Sequence, residues 1–344
     1  MPQRRSRSQT SDASDPFDGA IASGHRTVTE AAVHAFATHT GDYARMHLDH
    51  EFGRSGPLGG PIAHGLLSAC WALGALSRHP GDPLGLRDPQ AWMVGSSVRL
   101  SRIVSIGDTL AFRHGVSGDH AFEPKSDERD DLSSTAFEAL NQRGEVAASG
   151  VVTIARAETA LALRPPSGVP EPWPTESWVR PDSPSVFHAE DLVRAGPRGE
   201  SLGRTLTESD AVGFAREMGE LDPRYLNEAF AAGTVLEGRI VPPMLVYCLA
   251  FSDFLESLLR VPMPAEGAAG HVGDSWRCFR PSRVGDTIRT RHRPLSCRRS
   301  RSRPDQAIVD FGLQVVDQWD EIVQEGRIAM LIPARPGSAG DRAG

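Results

Sequence analysis

The stretch RTVTEAAVHAFATHTGD, residues 26–42, returns as RTLTESDAVGFAREMGE, residues 204–220. The offset is 178 residues. The same offset aligns Ile62 with Ile240 and Cys70 with Cys248. It also aligns VGSSVRLSRIVSIGDTLAFRH, from Val94, with VGDSWRCFRPSRVGDTIRTRH, from Val272. More than a quarter of the positions from 26 to 114 are identical to their partners without a gap. Chance pairing at ordinary usage gives roughly one in fifteen. After His114 the register slips by two, so that Glu145 and Gly150 match Glu321 and Gly326. The chain therefore holds two copies of one unit.

Each copy runs in the same order. A short strand ends at Thr29 or Thr207, and that Thr, followed by acidic residues, suits a helix N-cap. The helix stops near Gly41 or Gly219, a natural residue just past a C-terminus. An irregular segment leads to a second, apolar helix, about 62–78 or 240–259. Strands are expected at 92–103, 108–117, 134–142 and 145–156, with counterparts at 271–281, 286–297, 306–316 and 321–332. A long helix followed by an antiparallel meander predicts an α+β fold with the sheet wrapped around the helix. Between the copies lies ETALALRPPSGVPEPWPTESWVRPDSPSV, from Glu158. Its prolines cannot donate to a ladder and forbid a long helix, so it reads as a linker. The expected layout is a disordered tail 1–19, a first domain 20–157, a linker 158–194, a second domain 195–335 and a tail 336–344.

Composition limits the function. Of 344 residues, 39% are apolar and 24% charged, which excludes wholesale disorder. A net charge of −7 argues against nucleic acid as a partner. The four cysteines, at 70, 248, 278 and 297, are too few and too irregular for a disulfide framework or a zinc module. They read as reduced thiols in a cytoplasmic protein. The longest apolar stretch, Ile62 to Leu76, holds His64 and falls short of the ~20 residues that span a bilayer. The N-terminus has no apolar core for a secretory signal.

Residues 41–67 read GDYARMHLDHEFGRSGPLGGPIAHGLL. Asp42 and His47 are five apart, which is not a helical i,i+4 pair, but a carboxylate and an imidazole on one short loop can converge on a common point. Asp-x4-His-x-Asp, then Ile62-Ala63-His64-Gly65 entering an apolar helix, resembles the MaoC family of R-specific enoyl-CoA hydratases and 3-hydroxyacyl dehydratases. The Gly107-Asp108-Thr109 and Gly285-Asp286-Thr287 turns fit the same family. The resemblance spans both copies and implies a double hot-dog, two tandem hot-dog domains paired as the subunits of a homodimer pair. It implies Asp42 and His47 as the catalytic pair. The second copy holds Glu220 and Tyr225 there, and Ile240-Val241-Pro242-Pro243 at the helix entry. A phenol does not serve as a base near neutral pH as an imidazole does. One working site is expected, in the first copy, with the second completing the acyl pocket.

The implied activity is hydro-lyase chemistry on an acyl thioester, either 2-enoyl or 3-hydroxyacyl. As negative charge develops on the thioester oxygen, backbone N–H groups at a helix N-terminus can hold it. Ala63, His64 and Gly65 are the candidates, and Gly65 lets a thioester approach the backbone. Asp42 and His47 would hold the water added at C3. Tyr43 and Arg45 are candidates for the substrate mouth, and Asp49 for ordering the loop through backbone amides. The run Cys297 to Arg303 is placed in a hairpin connection where it can meet phosphates, and the acidic stretch 123–131 in the equivalent, mobile loop. No metal or redox cofactor is expected; CoA or phosphopantetheine enters only as part of the substrate. The partners expected are an acyl-CoA or an acyl carrier protein, and sheets that continue edge to edge admit a homodimer. The family pattern has Asn-Pro where this chain has Ala44-Arg45. That departure leaves a non-catalytic hot-dog protein, binding an acyl thioester or a partner subunit, as the alternative, with a hot-dog thioesterase as a weaker third.

Overall fold

A computed structural model describes Phe17 and residues 23–56, 59–122, 131–156, 184–264 and 269–336. The expected tails, apart from Phe17 and Pro336, lie outside these, as do 158–183 of the linker and 123–130 of the acidic stretch.

The first copy contains β1 (Ser23–Thr27), α1 (Glu30–Thr40), α2 (Arg45–Leu48), α3 (His50–Ser55) and α4 (Gly65–Leu76). Its strands β2 (Ala91–Leu100), β3 (Thr109–Val116), β4 (Leu132–Leu140) and β5 (Val146–Arg156) follow. Next come α5 (Ala189–Ala195), β6 (Gly199–Glu200) and β7 (Arg204–Thr205). The second copy continues with α6 (Glu208–Met218), α7 (Pro223–Leu226), α8 (Glu228–Ala232) and α9 (Pro243–Leu259). It ends with β8 (Gly270–Cys278), β9 (Thr287–Arg299), β10 (Gln306–Val316) and β11 (Ile322–Pro333).

The helix signals act as read. Thr29 Oγ1 accepts from Ala32 N–H at 3.1 Å, and Thr207 Oγ1 from Asp210 N–H at 3.2 Å. Each such cap stabilises its helix by about 1 kcal/mol. Gly41 and Gly219 end α1 and α6 at φ 82° and 77°, left-handed conformations that a side chain would strain.

The strands form one sheet in the order β1-β3-β4-β5-β2-β8-β11-β10-β9-β6, with β7 also on β9. Each copy therefore orders its strands first, third, fourth, fifth, second, and the two second strands join the halves. At that seam Ser97 pairs with Ser275, its own repeat partner, while Gly95 faces Arg277 and Arg99 faces Gly273. A strand pair in which a residue meets its own counterpart places a two-fold axis there, as in an isologous dimer. Cys70 and Cys248, also repeat partners, bring their sulfurs to 4.0 Å. The sheet wraps α4 in the first half and α9 in the second, and α1 packs on α6 and α9. Both wrapped helices are buried almost throughout, which is why their sequences are apolar on every face. This is the double hot-dog, an α+β fold.

Three local expectations change. The segment after α1 is not irregular: it holds α2 and α3, because Asp49 ends the first and caps the second through Phe52 N–H at 3.0 Å. The end of the expected linker forms α5, since Phe187, Ala189 and Leu192 are buried and the helix packs on β9 and β10. The basic run at 297–303 is only half in a turn: β9 continues through Arg299, and that guanidinium pairs with Glu190 at 2.8 Å.

Candidate active site

Asp42 follows the glycine that ends α1, and its carboxylate is buried. Oδ1 accepts from Ala44 N–H at 3.2 Å, and the Asp42 N–H donates to Thr40 Oγ1 at 3.4 Å. Burial pushes the carboxyl above its usual range; the His47 and His271 imidazoles and the Ala44 N–H oppose the shift.

His47, on α2, lies with Nδ1 2.9 Å from the Ile62 carbonyl oxygen. A carbonyl only accepts, so Nδ1 carries the hydrogen and the neutral ring keeps its lone pair on Nε2. That Nε2 faces Asp42 Oδ2 at 4.0 Å. The separation is too long for a hydrogen bond and leaves both groups able to bond a third atom. The sequence brings these two residues together through the short turns of 41–47, and the Ile62 carbonyl, 15 residues on, fixes the tautomer.

His64 is the N-cap of α4 and is buried. Its Nε2 donates to the Asp42 carbonyl oxygen at 2.9 Å, and its ring stacks on His47 with centroids 3.8 Å apart. Burial, with the neighbouring His47, drives its proton affinity well below the ordinary imidazole range, so it is neutral. His64 therefore braces the loop that carries Asp42. The ligand atoms of Asp42, His47 and His64 lie within 4.8 Å of one another, near enough to share a cation. However, the Nε2 that His64 turns to Asp42 is a hydrogen donor, so as bonded here it offers no lone pair on that side.

The helix entry corrects one expectation. Ala63 N–H is already bonded to the Val104 carbonyl oxygen at 2.8 Å, and Ile62 forms a bridge with Ser105, so Ala63 has no donor to offer an oxyanion. Gly65 is the first residue of α4, where N–H groups lack intrahelical partners. A Cβ on Gly65 would lie 2.2 Å from Leu100 Cδ1, so a side chain here would push the Leu100 side chain aside. In the second copy the equivalent position is Pro243, which has no N–H. That copy lacks both the acid–base pair and the donor. Glu220 is buried with its carboxyl pushed up to about 8 by burial and the nearby Asp222. Tyr225 is buried, and an Asp222–Arg224 ion pair at 2.6 Å fills the space beside it.

Beside Asp42 opens a cavity of about 740 Å³, walled by Tyr43, Arg45, Met46 and Phe52 from the first copy. Its other wall is the end of α9 and the residues after it, including Ser252, Leu255 and Leu259. Tyr43 stands at this wall with 60% of its surface exposed. The Arg45 guanidinium is engaged by Asp49 at 3.0 Å and lies over the Phe52 ring. Sequence reading missed one group. His271 on β8 pairs with Asp274 at 3.3 Å, and Tyr247 Oη donates to Asp274 at 2.6 Å. The first copy has Met93, Ser96 and Ala69 at the corresponding positions. Comparing the copies for gained polar residues was the signal that could have found them.

Fold and site thus define a double hot-dog protein with one acid–base pair beside a cavity between its copies. Residues 16–136 match the family model of the MaoC like domain, and 198–325 that of the FAS1-like dehydratase domain region. The first copy thus carries a MaoC like domain and the second a FAS1-like dehydratase domain region. The chain is 27% identical over 150 residues to the (R)-specific enoyl-CoA hydratase of Rhodospirillum rubrum, covering 44% of this chain and 95% of that one. It is 26% identical over 150 residues to the 3-hydroxybutyryl-CoA dehydratase of Methylorubrum extorquens, covering 44% and 87%. Among solved structures, a MaoC domain protein of Chloroflexus aurantiacus J-10-fl matches 96% of this chain and 100% of its own, at TM-score 0.65 and 18% identity. A Mycobacterium tuberculosis protein described as a double hotdog fold matches 92% and 98%, at TM-score 0.57 and 16% identity. At these identities both show the fold alone. Among the described residues no helix is long and apolar enough to cross a membrane.

Proposed function

We propose that the protein is a hydro-lyase that adds water to a 2-enoyl thioester, or removes it from a 3-hydroxyacyl thioester, at Asp42 and His47. The observation that carries this reading is the Ile62 carbonyl. It holds Nδ1 of the buried His47 ring, so that Nε2 faces a buried carboxyl across 4.0 Å. Two bases held apart in this way suit a water molecule placed beside both. The names of the matched relatives support an acyl-CoA thioester as the substrate class.

In the hydration direction, the water oxygen bonds to C3 while His47 Nε2 takes one of its protons. The C2–C3 π pair moves toward C2 and the thioester oxygen, whose charge the Gly65 N–H and the N-terminus of α4 hold. C2 then takes a proton from the pair, which restores the starting state. Asp42 orients the water, and its raised proton affinity lets it share the transferred proton. His64 keeps Asp42 in place. The cavity against α9 takes the acyl chain. No step needs a metal or a redox cofactor.

The test is loss of enoyl absorbance on adding the protein to short and medium trans-2-enoyl thioesters of CoA and of a phosphopantetheine carrier, with the product identified as the 3-hydroxyacyl thioester. Turnover of either supports the reading and reveals the carrier. Binding of both without turnover overturns it in favour of a non-catalytic acyl-thioester protein.

A further inference from the structure

A second cavity, of about 460 Å³, lies where α4 of the first copy meets the end of α6 of the second. It is lined by His25, Arg26, Trp71, Arg78, His79 and Arg216. Under the repeat offset its Gly219, Gly74 and Arg78 correspond to Gly41, Ser252 and Glu256 of the cavity beside Asp42, while the counterpart of that cavity's Tyr43, Arg45, Phe52 and Leu255 is a smaller neighbouring cavity lined by Leu221, Pro223, Phe230 and Ser77. The larger cavity therefore lies beside the altered mouth of the second copy, with an arginine, Arg78, where the first has a glutamate. At its back α4 touches the end of α6, since a Cβ on Gly74 would lie 2.2 Å from the Met218 carbonyl oxygen.

Much of the wall is apolar, and the polar groups at it are mostly donors. The carbonyls that end α6 are occupied: Arg26 Nη1 donates to Glu217 O at 3.0 Å and Met218 O at 3.1 Å, and Arg78 Nε to Gly219 O at 2.8 Å. These bonds fix two guanidiniums side by side and leave most of the Arg78 N–H groups unspent. Arg216 has no acidic partner among the described residues. The Glu217 carboxylate stands 3.9 Å from Arg26. Gly81 N–H donates to His79 Nδ1, so Nε2 of the neutral ring is a donor too. The buried Trp71 Nε1–H has no acceptor among the described residues. Arg26 lies over the Trp71 ring, and burial lowers its proton affinity, with Glu217 opposing the shift and Arg78 adding to it.

We propose that this cavity binds a phosphate-bearing anion at the cluster of Arg26, Arg78 and Arg216. Phosphate oxygens match the fork of guanidinium donors, and a tetrahedral dianion meets several at once. A free phosphate anion and the phosphates of a CoA-like ligand share this chemistry.

Calorimetric titration of the full chain with pyrophosphate and, separately, with CoA at fixed ionic strength is the test. It needs no turnover and therefore stands or falls apart from the hydro-lyase reading. Saturable pyrophosphate binding is expected, at least tenfold weaker in Arg216→Gln and in Arg78→Gln. Arg54→Gln, an exposed arginine paired with Glu51 away from this cavity, should bind as the wild type does. Arg216 makes no bond that folding depends on, so its variant stays informative if Arg78→Gln unfolds. If CoA binding weakens in the same variants, the CoA phosphates are read here; if only pyrophosphate binding weakens, the ligand is a free phosphate anion. No saturable binding, or equal weakening in Arg54→Gln, overturns the proposal.

Discussion

Replacing Asp42 by Asn should separate activity from stability. The amide keeps an oxygen to accept from Ala44 N–H, so the loop after α1 retains its shape. What disappears is a carboxyl that can ionise and share a proton beside His47 Nε2. General acid–base catalysis is worth about 100- to 10,000-fold, or about 3 to 5 kcal/mol of transition-state stabilisation at 1.36 kcal/mol per tenfold. The kcat should fall by that factor. Stability should move the other way. Burial raises the Asp42 proton affinity in the folded state, so the native protein binds this proton more tightly than the unfolded chain. The contribution is complete below the unfolded carboxylate range and is lost as pH rises through the raised folded value. Asn never ionises and escapes that loss. At pH 7 Asp42→Asn should therefore melt above the wild type, and the gap should close on acidification. Enoyl-thioester hydration and thermal melts at pH 4.5 and 7, with both proteins side by side, read the two effects. A variant that folds and keeps more than a tenth of wild-type kcat would refute the catalytic assignment. One that melts below the wild type at pH 7 would refute the electrostatic one.

Gly65→Ala keeps the N–H and asks only the Leu100 side chain to shift, so its loss of activity should be small, whereas Gly65→Pro, which reproduces Pro243 of the second copy, removes the N–H; kcat reduced more than tenfold is expected for the folded proline variant, and full activity would exclude Gly65 N–H as the oxyanion donor. Glu220→Gln removes a buried carboxyl whose folded value is about 8 against an ordinary 4.5. Wild-type stability from this group is complete below 4.5 and declines toward 8, at up to about 1.4 kcal/mol per pH unit, so denaturant melts across that window should flatten in the variant. Arg224→Met leaves Asp222 buried without its partner and should cost about 3–5 kcal/mol in urea unfolding, with an unchanged midpoint arguing that the pair is dispensable.

Local chemistry carried much of this protein into view. The repeat, the capping threonines, the left-handed glycines and the strand alternation act over a few residues or by simple self-comparison, and two copies of an α+β unit follow from them, while the double hot-dog was what the resemblance implied. The pairing of Asp42 with His47 was legible because a short turn joins them. Other features depended on distant partners. Nothing near Ala63 announces that Val104 takes its N–H, and nothing near His47 announces the Ile62 carbonyl that sets its tautomer. His271, Asp274 and Tyr247 come from a strand and a helix of the other copy.

The sequence by itself determined two copies of one α+β unit and kept the acid–base residues in only one, since periodicity, caps and residue identity are local properties of the chain. The tertiary structure decided which hydrogen-bond donors remain unspent, how His64 is committed, and which residues meet between the two copies. Those depend on which backbone carbonyls and side chains meet across the two-fold seam, and such meetings are set by packing over separations of a hundred residues or more.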